Sequence, residues 1–274
     1  TGSGDIYVLA RELRRIDPGG RRLPKRIRGQ GSLSRGREIC DNSVTTLSAD
    51  GIARENISLY ELVGESMSAA IQAYADEYER RSRERGTLKV CSDIFHANTV
   101  EEIRRDTAVA GRGDILFCIR NLDLIGIFRA GTERLLWSWG PGVLEFPHHP
   151  SVLANGHILV FDNGRRERAY SRILELDPGT SEIVWRYQGS PPESFFSAVM
   201  GGSQRLPNGN TLITESTTGR VFEVTRDGST VWQFLNFEVS SRGEGRGKRA
   251  TIYRMIRYGP RYLQRPIAGH PARS

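Results

Sequence analysis

Short apolar runs separated by turn residues recur along the chain, and four share a glycine-led pattern: "GDIYVLA" from Gly4, "GDILFCI" from Gly113, "GHILVFD" from Gly156 and "GNTLITE" from Gly209. Runs of this length, rich in β-branched residues and bounded by Gly, Asn, Asp or Pro, predict strands. The last two follow "LANG" and "LPNG", and Asn-Gly closes a hairpin because both residues tolerate positive φ. A second strand then runs into a Pro-Gly or Asp-Gly turn ("RILELDPGT", "RVFEVTRDG"). A third element carries tryptophan: "RLLWSWG", "EIVWRYQG", "STVWQFL". Trp137, Trp185 and Trp232 fall 48 and 47 residues apart. Each unit is about four short strands, near the repeat length of a β-propeller blade. The aromatics two residues past each tryptophan (Trp139, Tyr187, Phe234) share its strand face, and packing between blades is the expected role of both.

The pattern predicts an all-β chain, one β-propeller domain over 1–274 built from four-stranded blades. Blades are expected over 88–140, 145–189 and 195–236. Residues 1–60 supply three strand-like elements and read as an incomplete first blade, whose innermost strand would precede Gly4. Over 61–87 the period changes. Met67, Ile71, Tyr74 and Tyr78 fall at helical spacing ahead of the charged run "DEYERRSRER", which predicts an amphipathic helix inserted between blades with its apolar stripe on the propeller. Residues 237–249 form a polar Gly/Arg-rich loop, and 250–274 a closing strand, "ATIYRMIRY", with a frayed tail.

Composition narrows the function. The chain has 274 residues, 26% charged and 38% hydrophobic, values typical of a globular protein. It has no apolar run long enough to span a membrane and no signal-peptide pattern at its start; an export signal, if the parent has one, would lie upstream. The net charge of +7 comes almost wholly from arginine, since Lys25, Lys89 and Lys248 are the only lysines. The arginines are spread along the chain rather than gathered on one stripe with aromatics, which argues against nucleic acid as a partner. Cys40, Cys91 and Cys118 are too few and scattered for a disulfide framework or a zinc site. At most one bridge can form, and Cys118, inside "ILFCI", reads as core. No metal or cofactor is expected. A quinone-binding propeller has similar tryptophan repeats, but the acid and asparagine of its calcium site find no convincing pair here.

Three of the five histidines lie in "FPHHPSVLANGHILVFDNGRR", residues 146–166. Aligning the repeats on their turns sets "FHANTVEEI", "HHPSVLANG" and "GGSQRLPNG" in one register, so His96 and His149 are expected at matching places on the first strands of neighbouring blades. Such positions converge, as a polar site needs. His148 would point to the other face and either support His149 or pack between blades; His157 reads as structural. Asp162, Asn163 and Gly164 form a turn presenting Arg165 and Arg166, whose guanidinium groups suit tetrahedral oxyanions.

"FHANTVEEI", "FPHHPSVLANGHILVFDNG", "YSRILELDPGTSEIVWRY" and "GGSQRLPNGNTLITESTTGRVFEVTRDGSTVWQF" together resemble the arylsulfotransferase family that works without a nucleotide sulfate donor. The resemblance covers roughly 88–258 well and 1–65 more loosely. It implies a six-bladed propeller, extracytoplasmic or membrane-anchored, that moves a sulfuryl group from an aryl sulfate to a phenol through a covalent histidine. Its His-x-Asn motif falls on His96 and Asn98, its next histidine on His149, and its arginine within Arg165–Arg168, with Arg166 favoured. His96, His149 and Arg166 are therefore the expected catalytic residues, with Asn98, His148, Asn163 and Arg165 binding substrate. The chain departs from the family in having no histidine between His157 and His270, where the sulfate acceptor would fall; Gly202, Ser203 and Gln204 stand in the matching register. A propeller that binds or scaffolds without catalysis is the alternative this departure raises.

Overall fold

The computed structural model of the chain describes residues 4–16, 22–23, 37–86, 91–240 and 247–259. Its strands form four antiparallel sheets of four, within two compact units, 1–199 and 200–274. The first sheet holds β1 (Ile6–Ile16), the two-residue β2 (Arg22–Leu23), β3 (Arg37–Leu47) and β4 (Ala53–Ser58), in the order β2-β1-β3-β4. β1, β3 and β4 are the three elements read from the sequence, and β2 pairs with the end of β1 at the edge an innermost strand would occupy.

Two regular meanders complete the first unit. One is β5 (Ala97–Glu102), β6 (Ile115–Ile119), β7 (Leu124–Phe128) and β8 (Leu135–Trp139); the other is β9 (His148–Val152), β10 (Ile158–Asp162), β11 (Arg172–Asp177) and β12 (Glu182–Tyr187). The second unit repeats the design with β13 (Gly202–Arg205), β14 (Thr211–Glu215), β15 (Arg220–Val224) and β16 (Thr230–Leu235). These meanders are propeller blades. In all four sheets the register slips once between the third and fourth strands, at Thr46/Leu47, Ile127/Phe128, Glu175/Leu176 and Glu223/Val224. A bulge at a fixed place adds the same local twist to each blade.

Burial follows strand order. β6, β7, β10 and β14 are buried at every residue, which explains their unbroken apolar runs, since both faces are covered. Leu116, Cys118, Ile125 and Ile127 of one blade pack on Ile158, Val160, Leu174 and Leu176 of the next, with Trp137 and Trp139 partly buried against the cluster. Trp232 departs from the expected packing: it is 40% exposed on the outer strand β16, with the Arg257 guanidinium 5.1 Å from its ring.

The inserted helices are α1 (Leu59–Val63) and α2 (Ser68–Glu84). Ser58 caps α1 by accepting the Glu61 N–H at 3.1 Å, satisfying one of the first-turn donors. Buried Asp41 accepts from Ser58, from the Tyr60 N–H and from Arg14, which fastens the insertion to β3. Ile71 and Ala75 of α2 are buried, and Met67 and Tyr74 pack on the same core. A Cys40–Cys91 disulfide links β3 to the segment entering β5, beside a Cys40 N–H to Ser92 carbonyl bond of 2.9 Å. Cys118 is the leftover thiol; complete burial pushes its pKa up and leaves it inert.

Residues 251–259 are not the expected closing strand. Their backbone forms no ladder: the Ile252 N–H bonds the Ser216 carbonyl at 3.2 Å, and the Met255 and Arg257 N–H groups bond the side chains of Thr214 and Gln204. Residues 241–246 and 260–274, His270 among them, lie outside the described residues.

Candidate functional site

The site is built where β5 and β9 begin, two first strands that lie beside each other. Seven non-glycine residues have positive φ among the described residues, and five of them are here: His96, Asp123, Phe146, His149 and Arg165. Left-handed backbone is strained for residues with a Cβ and gathers where function holds it.

Strand register changes the histidine assignment. Thr99 faces Cys118 across β5–β6, and His148 faces Phe161 across β9–β10. Cys118 and Phe161 are the same station, each five residues past its turn glycine. His148 therefore stands at the station of Thr99. His96 (φ 47°) is matched by Phe146 (φ 54°) as the residue that swings the chain into its strand. His149 lies in the irregular stretch of β9, where the ladder slips. Counting from the turn cannot see that slip.

His148 is 7% exposed, and its Nδ1 lies 2.8 Å from Asn163 Oδ1 and 3.0 Å from the Phe146 carbonyl. The Asn163 amide has a fixed sense because its Nδ2 donates to the Ser197 carbonyl at 2.7 Å. Both neighbours of Nδ1 are thus acceptors, so Nδ1 carries the proton and the lone pair is on Nε2. Burial, with the charges of Arg120 and His96 adding to it, depresses the His148 pKa to about 4 despite the two hydrogen bonds. The ring is neutral at pH 7.

His96 is paired differently. Its Nδ1 meets Asp93 Oδ2 at 2.6 Å, and the side chain is 44% exposed. Burial works against the Asp93 carboxylate, but His96 and Arg11 together hold its pKa below the usual range. Asn98 donates to the Pro147 carbonyl at 2.9 Å, tying β5 to the start of β9.

Arginines gather around one ring. The guanidinium carbons of Arg120, Arg165 and Arg166 lie 4.5, 5.9 and 4.2 Å from the Phe146 centroid. Arg166, the expected oxyanion ligand, is bound to Asp123 and to the Asn121 carbonyl, so its charge is already balanced. Arg120 is half-buried, and its one side-chain hydrogen bond among the described residues goes to the neutral Asn121 Oδ1 at 2.7 Å. Arg165 makes no ion pair among the described residues. A cavity of about 890 Å³ opens between these loops and α2, with Tyr74 and Tyr78 on the helix side.

The structure thus joins His148 to Asn163, Asn98 to β9, and Arg165 and Arg166 to Phe146. Sequence reading missed Asp93, Arg120 and Phe146. The available signal for Arg120 was its place directly after β6, as "NGRR" follows β10. His157 is structural: its Nδ1 meets buried Glu175 at 2.9 Å, just as Asn208 and Asn210 close the corresponding turn of the second unit on Glu223. Among the described residues no group of three or more His, Cys, Asp or Glu side chains could hold a metal ion, and no helix is long and apolar enough to cross a membrane.

Meander blades with imidazoles where two first strands begin and guanidiniums on the loops that follow the second strands define a β-propeller protein carrying a cationic, histidine-bearing cluster. The chain belongs to the arylsulfotransferase (ASST) family, whose family model matches residues 58–237. No curated protein matches it. Among solved structures it is similar to a Bacteroides caccae protein of unknown function (14% identity, TM-score 0.44, covering 70% of this chain and 54% of that one). It is also similar to the virginiamycin B lyase of Staphylococcus aureus in a catalytically inactive form with quinupristin (11%, 0.41, 85% and 75%). A third is the Cps50 (Swd1) β-propeller domain of Myceliophteria thermophila (9%, 0.42, 73% and 56%). The chain thus spans little more than half of the first and third. None of these likenesses bears on chemistry.

Proposed function

We propose that the site transfers a sulfuryl group from an aryl sulfate ester to a phenolic acceptor, with His148 as the group-accepting nucleophile. The observation that carries this reading is the locked tautomer of His148: Nδ1 is committed to Asn163 and Phe146, and Nε2 has no hydrogen bond among the described residues. A neutral imidazole with a bare Nε2 is an activated nucleophile at neutral pH. In this reading His148 takes the acceptor role that the family resemblance gives to a later histidine, which this chain lacks between His157 and His270.

Nε2 attacks sulfur, the S–O bond to the aryl group breaks, and the phenolate leaves with that electron pair. His96, steadied through Nδ1 by Asp93, supplies the leaving oxygen with a proton from Nε2 and recovers it from the incoming phenol. The phenol oxygen then attacks sulfur, the S–N bond breaks, and His148 is regenerated. Arg120 balances the charge on the sulfuryl oxygens, the role the family resemblance gave to Arg166.

The test is turnover of para-nitrophenyl sulfate with a phenol acceptor. His148→Gln is expected to lower kcat at least a hundredfold, and a quenched reaction with the donor alone to leave a sulfuryl group on the peptide holding His148. A variant turning over within twofold of wild type would overturn the assignment. Tight sulfate-ester binding without turnover by the wild-type protein would favour the non-catalytic binding module instead.

A further inference from the structure

We infer that the cavity between α2 and the blade loops takes an aromatic ligand bearing two anionic groups, one held by Arg120 and the other by Arg165. The inference rests on the proposed reaction only in naming the first group as the sulfate ester. The charges around the cavity do not cancel. Four guanidiniums line it against two carboxylates, Glu77 and Asp123. Glu77 takes Arg81 at 2.5 Å and Asp123 takes Arg166. Arg120 and Arg165 are left over: neither makes an ion pair with a carboxylate among the described residues, and Asp93 acts on Arg120 only from beyond ion-pair distance.

A monoanionic ligand satisfies one of them; a dianionic ligand satisfies both. Their guanidinium carbons lie 4.5 and 5.9 Å from the same Phe146 centroid, so they are no more than about 10 Å apart, a distance that substituents on one benzene ring can bridge. Tyr74 and Tyr78 on the helix wall offer the ring surface against which such a frame packs, opposite the guanidiniums that stand over Phe146. Arg165 is also held in place rather than loose. Its backbone sits at φ 131°, and its N–H bonds the Arg168 carbonyl at 2.8 Å. Strain kept at an exposed arginine fixes where its side chain leaves the loop.

The experiment is calorimetric titration of para-nitrophenyl sulfate and para-carboxyphenyl sulfate into wild type, Arg165→Gln and Arg120→Gln, with turnover of each ester measured in parallel. The carboxylated ester is expected to bind wild type about tenfold tighter, or about 1.4 kcal/mol. Arg165→Gln should erase that gap while leaving the nitrophenyl ester's affinity within about twofold; Arg120→Gln should weaken both esters. Equal affinities in wild type, a gap that survives Arg165→Gln, or no binding of either ester would overturn the inference. Turnover of both esters without an affinity gap defeats this inference and leaves the reaction standing. An affinity gap without turnover defeats the reaction and leaves the dianion site standing.

Discussion

Acidification should destabilise the fold through His148 by an amount the structure allows to be worked out. A histidine in the unfolded chain titrates near 6.5, whereas burial, helped by Arg120 and His96, holds the folded ring near 4. Between those values the unfolded state binds a proton the folded state refuses, so stability rises with pH across the window and is lost as pH falls through it. At about 1.4 kcal/mol per pKa unit, the loss begins below about pH 6.5, reaches about 2 kcal/mol at pH 5 and levels near about 3 kcal/mol below pH 4. Asp41 and Asp123 have pKa values raised by burial and work in the opposite sense, gaining stability as they protonate. A single curve therefore mixes the terms. His148→Gln separates them, because glutamine keeps a donor near Asn163 and does not titrate. Urea unfolding of both proteins between about pH 7.5 and 4.5 gives two curves whose difference is the His148 contribution. A difference that stays flat through the window would refute the claim that the ring is kept neutral by its surroundings, and with it the basis for a free Nε2.

Three further outcomes follow from particular contacts. Asn163→Ala removes the nearer of the two acceptors at His148 Nδ1 and strips the Ser197 carbonyl of a donor; a loss of about 1–3 kcal/mol should accompany a change in the ring's nitrogen-15 shifts, and unchanged shifts would contradict the Asn163 contact. Gly126→Ala sets a Cβ 2.5 Å from the fully buried Phe117 ring, so overpacking should cost about 1–3 kcal/mol, read as a lower urea midpoint at unchanged slope; an unshifted midpoint would contradict the packing. Replacing Cys40 and Cys91 with serine opens a loop of 51 residues, worth about 4 kcal/mol in chain entropy. The check is the gap between oxidised and reduced wild type, which should vanish in the double variant.

What could be read from the sequence and what could not divide along physical lines. The blades were legible because their turns need particular residues: Asn-Gly before Gly156 and Gly209 marks each hairpin, and tryptophan spacing measures the repeat. The helix over Ser68–Glu84 was legible because its buried positions, Ile71 and Ala75, fall on one stripe with Met67 and Tyr74. The segment 251–259 has the apolar and aromatic content of a strand, but strand pairing depends on a partner edge, and there the N–H groups go to the Ser216 carbonyl and to the side chains of Thr214 and Gln204. The site was harder for the same reason. Which of two adjacent histidines faces Asn163 depends on where β9 departs from regular pairing, a feature set by how Pro150 and its neighbours meet β10 rather than by residue type. Charge balance is equally non-local. Arg166 and Arg120 look alike in sequence, and only the fold shows that Asp123 neutralises the first while the second has a neutral amide for a partner. An arginine already bound to a carboxylate must break that pair before it can hold a sulfate, whereas Arg120 has no carboxylate to give up. In the proposed reaction that difference, more than the count of arginines near the histidines, favours Arg120 for the oxyanion, and Arg120→Gln is the substitution expected to weaken binding more.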